Sequence, residues 1–289
     1  MNQDFSKFQK EKQLSEIITV IGYLILAFSF IFFIPLGSSS PSSAPVLMVF
    51  FALGGLVAMV GRKKFKGVSN KFKTEYLSQE IKKIYPDSTY DAYNGFCEHT
   101  VYGSHVLKKE DRYHSEDLIN GTYEGVEFRS ADVRLQDVRR SGKSTTVVTV
   151  FQGRVYEFEF NKRFKSNLLL TQPGTFKPFS SWKKVKTESN FFNSELKIYA
   201  MNEHEAFYIL TPHFMERLLK LDRKYQDNIS FSFINNKLYI AVNTKVDTFD
   251  LKMFNPINRS LIEDYKEQLL DIQAFIHELN LDQDLFAKD

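Results

Sequence analysis

The feature that most constrains this chain is a long stretch without charge near its N-terminus. Residues 17–61 contain no Asp, Glu, Lys or Arg, although the 289-residue chain carries 38 basic and 35 acidic residues. A soluble domain needs charged side chains at short intervals on its surface, because those residue types are rarely buried. An uncharged stretch of this length is therefore typical of a membrane protein.

The uncharged stretch divides into two apolar segments, residues 17–36 and 44–61, separated by the serine-rich residues 37–43. At a rise of about 1.5 Å per residue, the first segment covers a hydrocarbon core of about 30 Å as a helix, and the second is just long enough. A cleaved signal peptide is the alternative for the first segment, but its apolar run is longer than such a peptide needs. The sequence predicts two transmembrane helices, with Gly54 and Ala58 allowing close contact.

Basic residues beside the two segments predict the orientation. Lys7, Lys10 and Lys12 precede the first segment, four basic residues follow the second, and residues 37–43 contain none. The positive-inside bias then places both termini, including residues 1–16, in the cytoplasm. We expect a multi-pass protein of the inner membrane.

A cluster of basic residues, which we call the basic collar, follows the second segment. It contains no acidic residue, and its members are Arg62, Lys63, Lys64, Lys66, Lys71 and Lys73. Next to a bilayer such residues are attracted to anionic lipid headgroups. Interleaved Phe65 and Phe72 also fit nucleic-acid binding, but the position favours lipid, so we expect no nucleic-acid partner. The spacing of apolar residues predicts a juxtamembrane helix over 62–85.

Residues 86–289 are predicted to form a cytoplasmic α+β domain with a mainly antiparallel sheet and packed helices. Short β-type segments predict strands at 97–102, 122–130, 145–151 and 154–160, whereas 106–119 resembles a polar helix and 136–144 an exposed loop or hairpin tip. Further along, Asn202 and Thr211 are expected to start helices, and 229–242 forms a hairpin with Asn235 and Asn236 in the turn.

A final amphipathic helix is predicted over residues 260–281, opening with Ser260 and Glu263 as a capping box. Its apolar positions alternate in steps of three and four, and we call them the seam: Ile262, Tyr265, Leu269, Ile272, Ile276 and Leu279. This spacing fits packing against the chain's own domain, and it also fits self-association or a protein partner.

No motif assigns a catalytic residue, a cofactor or a metal ligand. His99, His105 and His114 lie close in sequence to several acids, but the spacing matches no established zinc or calcium motif. Residues 141–145 resemble the end of a phosphate-binding loop without its first glycine. Cys97 and His99 would share a face if they lay on a strand, but a buried structural thiol is the commoner outcome.

Several segments in order resemble the bacterial domain-of-unknown-function family numbered 3137. They include IYPDSTYDAYNGF, YHSEDLINGTYEGVEFRSADVRLQ, FQGRVYEFEFNKRF and KKVKTESNFFNSELKIYAMNEHEAFYILTPHFMERLLKL, which leads into ISFSFINNKLYIAV. The resemblance covers about residues 84–242. It implies a membrane-anchored cytoplasmic α+β domain and assigns no catalytic residue.

Three functions follow as hypotheses. The strong anchor and the missing catalytic motifs favour a binding or scaffolding protein that is not an enzyme. The basic collar and the aromatic strands alternatively favour lipid binding or handling. A hydrolase or metal enzyme that uses the His and acid cluster of residues 99–117 is the third hypothesis.

Overall fold

The computed structural model describes residues 2–37, 44–159, 167–174 and 181–281. Two compact units divide the chain. The first contains the chain up to Ser78 together with Asp250–Asp264, and the second contains Gln79–Phe249 and the chain from Tyr265 onward. The predicted loop at residues 37–43 lies almost entirely outside the described residues.

The first unit is built on two long helices, α1 (Asn2–Gly37) and α2 (Ala44–Lys71). They pack antiparallel, because Gly22 meets Ala58, Leu26 meets Gly54 and Thr19 meets Gly61. A Cβ atom added to Gly22 would lie 2.3 Å from the backbone nitrogen of Ala58. The predicted close approach at Gly54 and Ala58 is therefore confirmed.

The juxtamembrane helix predicted over residues 62–85 does not start as a separate element. Helix α2 runs on through the collar to Lys71 and gives way to a π-helical turn, Phe72–Leu77, followed by α3 (Ser78–Ile84). Residues 62–66 contain no glycine or proline, so α2 continues beyond the end of the apolar segment 44–61. Its predicted end just before Pro86 is close to the observed one.

A late segment of the chain completes the first unit at the start of α1. The backbone nitrogen of Phe254 donates to Glu16 Oε1, and that of Ile257 donates to Gln9 Oε1, each over 2.7 Å. Lys12, which is 1% exposed, forms an ion pair with Glu16. Buried polar groups are stable only when they are paired in this way.

The second unit is an α+β fold, as predicted. Its described residues form a nine-stranded sheet in the order β1-β2-β3-β4-β9-β8-β5-β7-β6, and every neighbouring pair is antiparallel. The strands are β1 (Thr89–Asp91), β2 (Arg112–Tyr123), β3 (Val126–Ser141), β4 (Ser144–Glu159), β5 (Leu168–Thr171), β6 (Lys183–Val185), β7 (Lys197–Ala200), β8 (Ile229–Ile234) and β9 (Lys237–Val242). The predicted hairpin at 229–242 is β8–β9.

Three predicted elements in this unit were wrong. The strand expected at 122–130 contains the turn between β2 and β3, with Glu124 and Gly125 at positive φ. The polar helix expected at 106–119 is largely strand β2, and the strand expected at 97–102 is helix α4 (Glu98–Gly103). Pairing with β1 and β3 stabilises β2 as a strand although its sequence is polar. Cys97 therefore precedes a helix, and it shares no strand with His99.

Strands β3 and β4 are longer than predicted. The segments expected at 145–151 and 154–160 form one strand, β4, which is described as far as Glu159. Phe160 lies outside the described residues. Residues 136–144 are the tip of the β3–β4 hairpin, with Gly142 at φ +57° in the turn. The loop expected there is thus mostly extended strand, and the expected hairpin tip is present.

The remaining helices are α5 (Asn190–Glu195), α6 (Glu203–Ile209), α7 (Pro212–Lys224) and α8 (Arg259–Leu279). Asn202 caps α6 and Thr211 caps α7, as predicted. Helix α8 starts one residue before the predicted Ser260, because Asn258 accepts from the backbone nitrogen of Leu261. An amide oxygen at this position caps a helix as well as a serine hydroxyl does.

Candidate functional site

The seam of α8 is buried. Ile262, at 7% exposed, is the most accessible of the six, and Ile276 is fully buried. On the same helix, Phe275 packs against Tyr156 and Phe158 of the sheet, with ring centroids 4.9 and 6.1 Å apart. The seam therefore belongs to the core of the chain, which is the packing alternative left open by its sequence, and it presents no exposed face.

The basic collar is exposed except at one position. Arg62, Lys63, Lys64, Lys66 and Lys71 are exposed, and the Arg62 guanidinium also lies 5.4 Å from the ring centre of Tyr23. Lys73 is 3% exposed and forms an ion pair of 2.5 Å with Asp250. Five members of the collar can therefore meet an anionic surface, and Lys73 has a structural contact instead.

The three histidines do not form a site together. His99 is exposed on α4, His105 packs edge-on against the Trp182 ring, and His114 is exposed on β2, 3.5 Å from Glu116. Burial lowers the pKa of His105, so its imidazole is neutral at physiological pH. The described residues contain two groups of acids whose oxygens lie within 4.8 Å of one another, and neither group includes a histidine.

These acidic groups are Glu116 with Asp117 and Asp247, and Glu195 with Asp222 and Asp227. Their oxygens could coordinate a hard cation by chemistry and spacing. In the second group Asp222 is 1% exposed, and burial raises the pKa of its carboxyl to about 6. Gln172 Nε2 opposes this shift by donating to Asp222 Oδ1 over 2.5 Å.

A buried arginine lies at the centre of the sheet. Arg154 is 2% exposed, donates to Asp132 Oδ1 over 2.9 Å and donates to the carbonyl oxygen of Asp117 over 2.9 Å. Its guanidinium lies 4.6 Å from the ring centre of Phe249. Burial raises the pKa of Asp132 and the guanidinium lowers it. Sequence patterns gave no signal for this network, because an arginine is almost never predicted inside a core.

The backbone of Asp117 provides one of the hydrogen-bond acceptors of the Arg154 guanidinium. Asp117 is fully buried at φ +59°, where the register of β2 against β3 shifts between Glu116 and Ile119. The hydroxyl of Tyr90 donates to its carboxylate. This β-bulge turns the Asp117 carbonyl oxygen toward Arg154, so the irregular strand supplies an acceptor that a regular ladder would use for pairing.

The second unit also contains a cleft of about 320 Å³. Residues of the adjacent strands β3, β4, β9, β8 and β5, together with the segment after α4, line it. Its apolar residues are Val106, Leu107, Leu135, Val150, Phe151 and Ala241, and its polar and charged residues are Lys108, Glu110, Thr171, Gln172, Asp227, Asn228, Ser230 and Asn243. Sequence reasoning missed this cleft, because its residues come from distant parts of the chain.

Two groups of lining residues are each held together by contacts. Val106, Leu135, Phe151 and Ala241 belong to one buried apolar cluster, and Leu107 packs against it. The polar group is linked by three contacts. Thr171 Oγ1 and Ser230 Oγ are 3.4 Å apart, Gln172 Nε2 donates to the Ile229 carbonyl, and the backbone nitrogen of Asn243 donates to the Asn228 carbonyl. The cleft thus has an apolar part and a part rich in amide and hydroxyl groups.

Comparison with known proteins gives few relatives. No curated protein matches the chain significantly. One solved structure that resembles it is the crystal structure of the mycobacterial trehalose monomycolate transport factor A, TtfA, with a TM-score of 0.36 and 10% identity, covering 71% of this chain and 97% of that chain. A TM-score this low does not establish a common fold.

A family match covers the C-terminal half of the second unit's sheet and helix α8. Residues 149–281 match the family described as "Protein of unknown function (DUF3137)". The matched residues include β8, β9 and the buried seam, and they overlap the segments in which the sequence resembles that family. Residues 149–281 therefore belong to the DUF3137 family.

Proposed function

We propose that this chain is a membrane-anchored binding protein, held at the cytoplasmic face of the inner membrane by α1 and α2. The observation that carries the proposal is the exposure of large apolar side chains on both helices. The most exposed are Leu24, Phe28, Phe30, Ile31, Val46, Met48, Val49, Leu56 and Met59, each between 57% and 70%. A continuous apolar surface on a soluble protein would be costly in water, whereas in a bilayer it contacts lipid.

The two helices support the anchor to different degrees. Among the described residues, one helix is long and apolar enough to cross a membrane, over Ser6–Ile31. The antiparallel packing of α2 on α1 and its exposed apolar side chains support a second crossing. A hairpin of two crossings places both termini on the same side, and the exposed collar at the end of the second crossing favours the cytoplasm.

The native cysteine tests the orientation without a new label. Cys97 is the only cysteine of the chain and is exposed. A hydrogen bond with Thr100 lowers the pKa of its thiol, which favours reaction with maleimides. In right-side-out vesicles a membrane-impermeant maleimide should leave the protein unlabelled, and in inverted vesicles it should label the protein fully.

The control for this experiment is Cys97→Ser, which should abolish labelling in both preparations. Carbonate extraction of the same membranes should leave the wild-type chain in the pellet. Labelling of Cys97 in right-side-out vesicles would contradict the cytoplasmic orientation, and release of the intact chain by carbonate would contradict the anchor.

The exposed collar favours a second role, the binding of anionic lipid headgroups. Five exposed basic residues within ten positions of one helix can each contribute about 1 kcal/mol near an anionic surface. We infer that lipid which copurifies with the full chain is enriched in anionic species. The variant Lys63→Gln/Lys64→Gln/Lys66→Gln should lose this enrichment.

The matched control for the collar replaces three exposed lysines of the second unit, as Lys183→Gln/Lys184→Gln/Lys245→Gln. It changes the net charge by the same amount and should retain the enrichment, as measured by mass spectrometry of the copurified lipid. Equal losses in both variants would show that net charge, and not the collar, attracts the lipid.

A further inference from the structure

We propose that the cleft of the second unit binds a small uncharged amphiphile, a molecule with a short apolar part and a part rich in hydroxyl or amide groups. The inference deepens the proposed binding role and rests on it, because it assigns that role a site and a class of ligand. The site is the 320 Å³ cleft across β3, β4, β9, β8 and β5.

The apolar part of the cleft is continuous with the protein core. Leu135, Phe151 and Ala241 are between 1% and 7% exposed and form its floor, while Val150 at the rim is 40% exposed. A short alkyl group in the cleft would extend the core and remove the Val150 side chain from water. Burial of apolar surface in this way favours binding.

A β-bulge places Val150 at this rim. Leu135 pairs with Phe151 and Gln136 pairs with Thr149, so Val150 is the extra residue of β4. Bulges of this kind change the direction of a side chain and are frequent beside binding sites. The rim is therefore shaped by a local departure from regular strand geometry.

The polar part of the cleft consists of neutral groups. Amide and hydroxyl side chains at Thr171, Gln172, Asn228, Ser230 and Asn243 cluster at neighbouring strand ends. Such groups both donate and accept hydrogen bonds, which suits hydroxyl or amide groups of a ligand.

The charges around the cleft do not favour a charged ligand. Lys108 Nζ and Glu110 Oε1 lie 3.4 Å apart and compensate each other, and Asp227 is exposed to water. A ligand carboxylate or phosphate would lose its hydration without meeting an uncompensated cation. The volume lies at the small end of the range of roughly 300 to 1,000 Å³ for ligand pockets, which favours a molecule the size of a short-chain glycoside.

Calorimetric titration of the full chain in lipid nanodiscs tests the proposal, with hexyl β-glucoside as the probe and empty nanodiscs as the blank. We expect saturable heat above the blank for hexyl glucoside. Glucose, which lacks the alkyl group, and hexanoate and hexyltrimethylammonium, which carry a charge, should bind at least tenfold more weakly.

Two variants connect the binding to the cleft. Val150→Trp should fill the rim and weaken hexyl glucoside binding at least tenfold. Val147→Trp is the matched control, because Val147 lies on the same strand with 38% exposure and does not line the cleft. It should bind as the wild type does.

The proposal is overturned by an absence of saturable heat, by equal effects of the two tryptophan variants, or by tighter binding of either charged probe. Failure of the anchor is measured separately by labelling of Cys97 and by carbonate extraction. If carbonate releases the chain, the same titration is carried out in buffer, so a wrong anchor and a wrong ligand class give different results.

Discussion

Arg154 Nη1 and Asp132 Oδ1 are joined by a hydrogen bond of 2.9 Å in the interior of the sheet, where the side chains are 2% and 8% exposed. The pair is further held by the backbone nitrogen of Thr248, which donates to Asp132 Oδ2 over 2.8 Å. Burial of two charges costs free energy that only such complete pairing offsets. The pair therefore links β3 and β4 to the chain that follows β9.

Removal of the arginine should destabilise the second unit strongly. Arg154→Met leaves the Asp132 carboxylate buried without its cation, and we expect a loss of about 3 to 5 kcal/mol in the free energy of unfolding. Urea unfolding of the full chain in nanodiscs, followed by the fluorescence of the single tryptophan, Trp182, measures this loss. Exposed Arg139→Met should cost less than about 0.5 kcal/mol, and a similarly small cost for Arg154→Met would refute the role of the pair.

The stability of the second unit should decrease with rising pH in a defined range because of Asp222. The pKa of this buried carboxyl is raised from 3.8 to about 6. Between these values the folded state holds a proton that the unfolded state has released, so the free energy of unfolding falls as pH rises from about 4 to about 6. We expect Asp222 to contribute about 1 to 3 kcal/mol to this fall.

Asp222→Asn should remove this part of the pH dependence, because its amide does not titrate. Glu216→Gln on the same helix removes one exposed acid and should retain the wild-type slope. Urea unfolding at several pH values measures both variants. A slope that is unchanged in Asp222→Asn would show that another group causes the pH dependence.

Lys71 and Lys73 should differ in function although they are two residues apart in the collar. Lys73 is buried against Asp250 and Lys71 is exposed. Lys71→Gln should reduce the anionic lipid that copurifies with the chain, whereas Lys73→Gln should leave it unchanged and instead lower the free energy of unfolding by about 1 kcal/mol. The opposite assignment of the two effects would contradict the headgroup role of the exposed positions.

Packing of α1 on α2 should depend on Gly22. A side chain at this position meets the backbone of Ala58, whereas a Cβ atom at Gly55 has no neighbour within 4 Å. Gly22→Val should lower the temperature at which the helical signal is lost in circular dichroism, and Gly55→Ala should leave it unchanged or raise it slightly. Equal melting of the two variants would show that the close contact is not needed.

The parts of the fold that sequence predicts are those with local causes. The boundaries of α6 and α7 follow from caps at Asn202 and Thr211, and the β8–β9 hairpin follows from its turn residues. Strand β2 was missed because its residues are mostly polar, and pairing with β1 and β3 stabilises it as a strand. The cleft was missed because Leu135, Thr171 and Ala241 are far apart in the sequence and come together only after the sheet forms.

The candidate sites also combine features that the sequence predicts with features that depend on the tertiary structure. The sequence predicts all six residues of the collar alike, but it does not distinguish Lys73, whose partner Asp250 lies far along the chain. The sequence also allows two interpretations of the seam of α8, because helices that pack on a sheet and helices that pack on each other share a heptad-like spacing. Burial of Tyr265 and Leu269 follows from the tertiary structure alone.

The contacts of Phe254 and Ile257 with Glu16 and Gln9 impose an order on biosynthesis. The ribosome releases the N-terminal helix long before it makes these two residues. The first unit can therefore be completed only after nearly the whole polypeptide has been synthesised. In the proposed membrane-anchored arrangement, insertion of the apolar segments would precede the completion of this unit. A nascent chain that stops before residue 254 would then lack the segment that donates these two hydrogen bonds to α1.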